Sequence, residues 1–353
     1  MLNRRAFLAT AGATLITGPT TSFAQTTPGK KLRVVVVANR YHEADGLMAA
    51  LSNQMMQSPN LSYPYKVASL QAPTFPPPPQ DSSNPPPPHD SSNPRCLIDV
   101  KKNPSDTAAS ATMEIWCIDD LANTKGDSAS KVTAMAAITK YGPAPDGVVA
   151  FGTAGYPGLP SNDGCATIGG TIFIHDAAND VSGYQGGNWA WPNKPGNMGA
   201  LVPSKTLASF FSGVAADQKT LGAINLEMIV PQNRPASVLQ LIVAPDAVGI
   251  SSVNIPYIPG NGAGAAYCSI DTTAIKQAQA KGATNITSVE TTHGVIRSMW
   301  DDAPFIYVTA IPNRVCHFPD EAQNIYAQEF PSSHNAGVAL KYVMPYFVSS
   351  ISQ

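Results

Sequence analysis

The chain has 353 residues, of which 43% are hydrophobic and only 13% are charged, and its formal net charge is −2. This composition is typical of a globular protein, and the length allows one large α/β domain. The nearly neutral charge gives no sign of a polyanionic partner, so we expect no nucleic acid ligand.

The first 24 residues are predicted to be a secretory signal peptide. Arg4 and Arg5 precede a short apolar run, and small residues at Ser22 and Ala24 fit the usual cleavage spacing. The segment NRRAFL also resembles a twin-arginine signal. We therefore expect export by the twin-arginine or Sec route to the periplasm or the medium. Because no later segment reaches about 18 apolar residues, we expect no membrane association after cleavage.

Strands and helices alternate in the first half of the remaining chain. A β-branched run at 31–38 predicts a central strand, a polar loop is predicted at 39–46, and a helix is predicted at 47–56. Further strands are predicted at 113–118 and 146–151, with a helix between them at 128–139. This order predicts a doubly wound sheet within a single domain at 25–353.

A proline-rich segment at 71–95 interrupts this pattern. It contains PPPPQDSSN followed directly by PPPPHDSSN, a tandem duplication. Proline runs join neither helices nor sheet ladders, so we expect an extended surface insertion. A ligand for a proline-recognition module is the alternative.

Glycines follow the strand predicted at 146–151, in the segment GTAGYPG at 152–158. Glycines let the backbone approach a ligand closely, and the Thr153 hydroxyl with nearby amides could hold an anion or an attacking water. A tight exit from the strand explains the same glycines.

Two polar positions flank a strand near the C-terminus. Glu290 lies in a segment predicted to be helical up to Trp300, and a strand is predicted at 305–311, directly before Pro312 and Asn313. Open α/β sheets bind ligands outside the carboxyl ends of their strands. Both residues could therefore meet one ligand, although an exposed surface Glu and an ordinary turn are the alternative.

Several common chemistries lack their motifs. The sequence has no GxSxG, P-loop or HExxH motif, and its five cysteines form no CxxC pair. His42, His175, His293 and His317 have no metal-ligand spacing, so we expect neither a metal nor a cofactor. Some cysteines could be oxidised after export, but an odd number leaves at least one outside any intramolecular disulfide.

Three segments, taken in order, resemble the nucleoside phosphorylase and nucleosidase superfamily, with methylthioadenosine nucleosidases the nearest pattern. DGVVAFGTAGYPG at 146–158 is similar to the family's strand ending in GSAGG, and IGGTIFIHDA at 168–177 to its VGD segment. VETTHGVIRSMWDDAPFIYVTAIPN at 289–313 resembles VEME, a helix, PF, a strand and SD. The resemblance implies a three-layer α/β/α fold with a central mixed, largely parallel sheet.

The resemblance also implies residue roles. Glu290 would bind the ribose hydroxyls, Asn313 would face the purine, and Glu43 would activate water, with His42 competing for that position. Thr153 would lie near the attacking water or phosphate, between Gly152 and Ala154. Val289 stands where VEME has Met, and we place it with Gly152 and Ala154 among the substrate-binding residues.

These roles predict an exported enzyme that cleaves the N-glycosidic bond of a nucleoside or related N-riboside. Hydrolysis is favoured over phosphorolysis, which would use inorganic phosphate as co-substrate, because no arginine lies in the segment 152–158. If Asn313 contacts the base, its amide cannot supply a proton, and Asp301, Asp302 and Asp320 are candidate acids.

Other interpretations remain open. An exported nucleoside-binding protein without catalytic activity is the main alternative, because the VEME motif is altered and the acid position holds Asn. An α/β-hydrolase-like enzyme of unrelated chemistry is a third hypothesis. The resemblance further implies a homo-oligomer.

Overall fold

Twelve strands form one mixed sheet in the computed structural model, which describes residues 30–52, 65–70, 92–103, 105–121, 128–158, 164–179, 198–205, 207–217, 241–255, 263–317 and 329–353. The strands are β1 (Leu32–Ala38), β2 (Tyr65–Leu70), β3 (Cys96–Val100), β4 (Ala111–Cys117), β5 (Gly147–Tyr156), β6 (Ala166–Gly169), β7 (Thr171–Asp176), β8 (Leu201–Pro203), β9 (Leu241–Val243), β10 (Ala247–Val253), β11 (Asn285–Glu290) and β12 (Phe305–Arg314). The helices are α1 (Tyr41–Ser52), α2 (Ser128–Tyr141), α3 (Ala208–Ala216), α4 (Ala263–Ala280), α5 (His293–Met299) and α6 (Phe330–Ile351).

Parallel pairs form the middle of the sheet. Strand β5 lies between β1 and β12 and is parallel to both, and β10 lies between β7 and β11 in the same way. Antiparallel pairs occur toward the edges, where β2 pairs with β3, β3 with β4, and β7 with β8, and also between β12 and β6 and between β11 and β5. The sheet is therefore mixed and largely parallel at its centre, as predicted.

The strand pairings also close a ring. Strand β5 pairs with β12, which pairs with β6, and the chain passes from β6 into β7 through Gly170. Strand β7 pairs with β10, which pairs with β11, and Val289 of β11 meets Gly155 of β5. Because of this closure, the carboxyl ends of β5, β11 and β12 lie beside one another.

The side chains of β1 explain the layers. Val34 and Val36 pack in one hydrophobic cluster with α1, α3 and α6, while Val35 and Val37 pack in another with α2 and α5. All four valines are fully buried. A central parallel strand that is covered on both faces needs such a continuous apolar run. Helix α4 packs on β10, which completes the predicted three-layer α/β/α arrangement.

Three predicted elements were wrong in their bounds, and each change affects a site residue. Glu290 ends strand β11 and does not lie in a helix, because β-branched residues such as Ile286, Thr287 and Val289 precede it. The predicted loop at 39–46 is mostly helix, since α1 begins at Tyr41. Strand β5 continues through the glycines to Tyr156, because its pairing with β12 continues to that residue.

Other predictions fall outside the described residues. These are the signal peptide at 1–24, most of the proline-rich insertion at 71–95, and Asp320. They stay predictions. No helix in the described ranges combines the length and the apolar character needed to cross a membrane.

A buried ion pair joins β1 to β4. Arg33 donates from Nε to Oε1 of Glu114 at 2.7 Å and from Nη2 to Oε2 at 2.8 Å, and it also donates to the carbonyl of Ile138 at 3.1 Å. Both side chains are less than 10% exposed. Each buried charge is therefore balanced by the opposite charge of its partner.

We expect Glu114→Gln to lower the free energy of unfolding by about 3 to 5 kcal/mol, because it leaves a buried guanidinium without its counter-charge. Urea denaturation would measure the loss. The exposed pair between Lys31 and Asp99 is a matched control, and Asp99→Asn should change stability by no more than about 1 kcal/mol. Equal effects of the two substitutions would contradict the prediction.

Candidate active site

A cavity of about 790 Å³ opens at the carboxyl ends of the central strands. It lies within the size range of small-molecule sites. All seven residues that were predicted to form the site line this one cavity, namely Glu43, Gly152, Thr153, Ala154, Val289, Glu290 and Asn313. The structure therefore brings them together, while their catalytic and binding roles stay predictions.

The carboxylate of Glu43 links helix α1 to strand β5. Its Oε2 accepts from the backbone amides of Asn39 at 3.0 Å and Arg40 at 2.9 Å. Its Oε1 accepts from both the amide and the hydroxyl of Thr153, each at 2.8 Å. Glu43 is the third residue of α1, where a Glu commonly caps the helix start in this way. The four donors occupy the roughly four lone-pair positions of a carboxylate.

Gly152 allows this close packing. A Cβ atom at this position would lie 3.0 Å from Oε1 of Glu43 and 3.2 Å from Nε2 of His293. Contacts this short are rarely tolerated, so a side chain here would push the two polar groups apart. The glycine thus lets the carboxylate of α1 and the imidazole of α5 approach the same stretch of β5.

Glu290 uses one carboxylate oxygen and leaves the other without a partner. Its Oε2 accepts from the backbone amides of Thr292 and His293, the latter at 2.8 Å, and so caps helix α5. Its Oε1 is buried and makes no hydrogen bond, and the nearest ion-pair atom, Nδ1 of His293, is 3.9 Å away. Buried acceptors are seldom left unsatisfied, so this atom can accept from a ligand or a water.

Asn313 lies near the end of β12, opposite Gly155 of β5. Its Nδ2 donates to the carbonyl of Arg314 at 2.8 Å, and the residue is only 6% exposed. The register between β12 and β5 shifts after Ala310, so a bulge carries Asn313 to the cavity wall. The amide keeps one N–H and its oxygen for a ligand.

His42 and Glu43 are adjacent but have separate partners. Nε2 of His42 lies 2.6 Å from Oε2 of Glu329, just before helix α6. Burial works against a charge on the imidazole, but the contact with Glu329 and the charge of Glu43 outweigh it and raise the pKa of His42. Both residues line the cavity, yet it is Glu43 that contacts Thr153.

Sequence reasoning missed Lys131, Asn254 and Asp271, which also line the cavity. Lys131 donates from Nζ to the hydroxyl of Thr292 at 2.6 Å. Burial lowers the pKa of Lys131 to about 8, although the charges of Glu290 and Glu43 oppose this shift. Lysines in helices are usually solvent-exposed, so nothing in the sequence marked this one.

Asn254 did carry a usable signal, because it directly follows strand β10 as a polar residue. Its backbone adopts a φ of 57°, which few residues other than glycine and asparagine tolerate. Its Nδ2 donates to Oδ1 of Asp176 at 3.0 Å, and its Oδ1 is buried without a hydrogen bond. It is a second unsatisfied acceptor on the cavity wall.

The candidate acids Asp301 and Asp302 lie outside the cavity. Both are exposed in the turn that precedes β12, and Asp302 accepts from Nζ of Lys205 at 2.6 Å. They are therefore poorly placed to meet a ligand that contacts Asn313. Among the described residues there is no group of three or more His, Cys, Asp or Glu side chains arranged to bind a metal ion.

A disulfide joins Cys268 on α4 to Cys316, which lies just after β12, and both residues line the cavity. The other three cysteines, Cys96, Cys117 and Cys165, are buried and lie outside any disulfide. The bridge closes a chain separation of 48 residues. It fixes one wall of the cavity to the strand end that carries Asn313.

We expect the double variant Cys268→Ser with Cys316→Ser to lose about 3 to 4 kcal/mol of stability, because the unfolded chain regains the entropy of an open loop. Thermal unfolding with and without dithiothreitol would measure it. The reductant should lower the Tm of the wild type and leave that of the double variant unchanged. A wild-type Tm that does not respond to the reductant would contradict the prediction.

No family model matches the sequence, and no curated protein matches it. Several solved structures are similar to the chain. A mutant 5′-methylthioadenosine nucleosidase of Helicobacter pylori with 5′-methylthioadenosine in its active site is 9% identical, over 89% of this chain and 99% of that one, with a TM-score of 0.43. Futalosine hydrolase of the same organism is 9% identical, over 89% and 97% of the two chains, with a TM-score of 0.43.

The 5′-methylthioadenosine/S-adenosylhomocysteine nucleosidase of Neisseria meningitidis, in complex with methylthio-immucillin-A, is 12% identical over 89% of this chain and 98% of that one, with a TM-score of 0.42. The first and third of these proteins are named as nucleosidases, and the second is named as a hydrolase. Their identities and TM-scores are too low to transfer a function.

Proposed function

We propose that this protein hydrolyses the N-glycosidic bond of a nucleoside or related N-riboside. The observation that supports this most directly is the buried Oε1 of Glu290, an acceptor without a partner on the wall of a cavity that also holds Glu43, Thr153 and Asn313. A ribose hydroxyl is a donor of the size and polarity that would satisfy it. The cavity also has room for the base.

Glu290 would act in the transition state as well as in binding. Cleavage of the C1′–N bond passes through a state with positive charge on the sugar, and a nearby carboxylate stabilises that charge. The contacts of Oε2 with the amides of Thr292 and His293 hold the carboxylate in place before the substrate arrives.

The water would be activated through Thr153. Because Glu43 already accepts four hydrogen bonds, a water has no free position on it. The hydroxyl of Thr153 donates to Oε1 of Glu43, and its own oxygen can accept from a water in the cavity. As the water attacks C1′, its proton would pass to Thr153 while the hydroxyl proton of Thr153 passes to Glu43.

Among the described residues, one lysine and one arginine line the cavity, and both have partners in the protein. Lys131 donates to Thr292, and Nε of Arg40 lies 3.5 Å from Oδ2 of Asp119. The contacts of these two side chains within the described ranges are with Thr291, Thr292 and Asp119, and none is with the 152–155 segment. We therefore propose water, and not inorganic phosphate, as the acceptor of the ribosyl group.

Product analysis tests this function. The purified protein would be incubated with adenosine, inosine, uridine and 5′-methylthioadenosine, with and without phosphate, and the released base and sugar would be separated by chromatography. We expect base and free ribose, or the 5-substituted ribose, at a rate that does not depend on phosphate. If ribose 1-phosphate forms, and forms only when phosphate is present, the reaction is phosphorolysis and not hydrolysis. Tight binding in calorimetry without release of base would point to a binding protein.

A further inference from the structure

One face of helix α4 lines the same cavity as Glu290. Gly264, Tyr267, Cys268 and Asp271 recur at the spacing of a single helical face, and all four line the cavity. Asp271 is the one acidic residue of this helix. It makes no hydrogen bond or ion pair with any described residue, and it is half-buried.

The disulfide holds this face against the end of strand β12. Cys268 lies three positions before Asp271, and Cys316 lies three positions after Asn313. The covalent bond therefore keeps Asp271 and Asn313 on adjoining walls of one cavity. A carboxyl group therefore lines the same cavity as the residue that is proposed to face the base.

The proposed hydrolysis requires a proton at this place. When the C1′–N bond breaks, its electron pair moves to the base, and a basic leaving group departs faster if a ring nitrogen is protonated. The amide of Asn313 can donate a hydrogen bond to the base, but it cannot give up a proton as an acid does. Among the carboxyl groups of the described residues that line the cavity, Glu43 and Glu290 accept from backbone amides, and Glu329 contacts His42.

We propose that Asp271 is the general acid that protonates the departing base, a role that rests on the proposed hydrolysis. The carboxyl proton of Asp271 moves to a ring nitrogen as the C1′–N bond breaks. Water adds to C1′, and its proton passes through Thr153 to Glu43. The products are ribose and the neutral base. The proton gained by Glu43 and the proton lost by Asp271 then exchange with solvent, which restores both groups.

The surroundings of Asp271 keep a proton available near neutral pH. Burial raises its pKa to about 7, and no neighbouring charge contributes to that shift. Strand β10, on which α4 packs, has no titratable side chain. The charged or titratable groups near the cavity on other elements are Arg40, His42, Glu43, Lys131, Glu290, His293, Glu329 and, around Cys316, Arg314 and His317.

The test compares a poor leaving group with a good one. Inosine needs a protonated base, whereas p-nitrophenyl β-D-ribofuranoside releases a phenolate that departs without a proton. We expect Asp271→Asn to lower kcat/KM for inosine by about 10²-fold or more and to leave cleavage of the nitrophenyl riboside nearly unchanged. Asp301→Asn, which changes an exposed carboxylate outside the cavity, is the control and should leave both rates unchanged.

The wild type provides a second measurement that does not depend on the folding of any variant. For inosine, kcat/KM should fall as the pH rises through about 7, because Asp271 loses its proton there, and this alkaline limb should be absent for the nitrophenyl riboside. Equal losses on both substrates in Asp271→Asn, or retained cleavage of inosine, would overturn the acid role alone. A wild type that cleaves neither substrate would overturn the proposed hydrolysis and the acid role with it.

Discussion

Glu290→Gln is expected to lower kcat/KM for a ribonucleoside by at least about 100-fold, which corresponds to about 2.7 kcal/mol of transition-state stabilisation. The amide oxygen of Gln can still accept from the backbone amides of Thr292 and His293, as Oε2 of Glu290 does. The group that replaces Oε1 is then an N–H₂, which cannot accept from a ribose hydroxyl. The substitution also removes the negative charge that stabilises the ribosyl cation.

The choice of sugar separates these two effects. The wild type should prefer a ribonucleoside over its 2′-deoxy and 3′-deoxy analogues, because each missing hydroxyl removes a donor to the buried Oε1. Glu290→Gln should lose most of that preference. Steady-state kinetics with the three sugars in both proteins would give the coupling energy between residue 290 and each sugar hydroxyl.

A control outside the cavity, at the residue before β10 that contacts the start of β11, tests whether the loss is local. Asp246 accepts from Nδ2 of Asn285 at 3.2 Å, at the opposite end of β11 from Glu290. Asp246→Asn should therefore leave kcat/KM and sugar preference unchanged. A Glu290→Gln enzyme with a normal preference for ribose would show that this carboxylate does not bind the hydroxyls.

The sequence was sufficient for the central strands and for a set of residues that line one cavity, but not for how those residues are held. The run of valines in β1 and the strand before Asn313 identify central strands, because fully buried parallel strands leave little freedom in composition. Glu290 was predicted to lie in a helix, but it ends strand β11. The helical pattern belongs to α5, which begins three residues later.

The residues that were missed come from helices that approach the cavity from outside the sheet. Lys131 on α2 and Asp271 on α4 lie in segments whose composition is that of ordinary surface helices. Their burial depends on which helical face meets the cavity, and that depends on tertiary packing. The same holds for the disulfide, because spacing along the chain does not reveal which two of five cysteines meet.

Thr153→Val is expected to lower kcat by about 10² to 10⁴-fold with little change in KM, because the hydroxyl is needed only when the water loses its proton. Valine has nearly the same shape as threonine and keeps the backbone amide that donates to Glu43. Thr153→Ser keeps the hydroxyl and should be much closer to the wild type. Single-turnover kinetics on inosine would measure the chemical step.

Glu43→Gln distinguishes a relay from independent contributions. Glutamine at the third position of α1 can still cap the helix, so the fold should be retained. If the proton passes from water through Thr153 to Glu43, either substitution interrupts the same path, and the double variant should be little worse than the more damaged single variant. Losses that multiply would show that Glu43 and Thr153 act separately. In that case the four hydrogen bonds of Glu43 serve the packing of α1 on β5. The water must then be activated by another group, and the candidate close to Gly152 is His293.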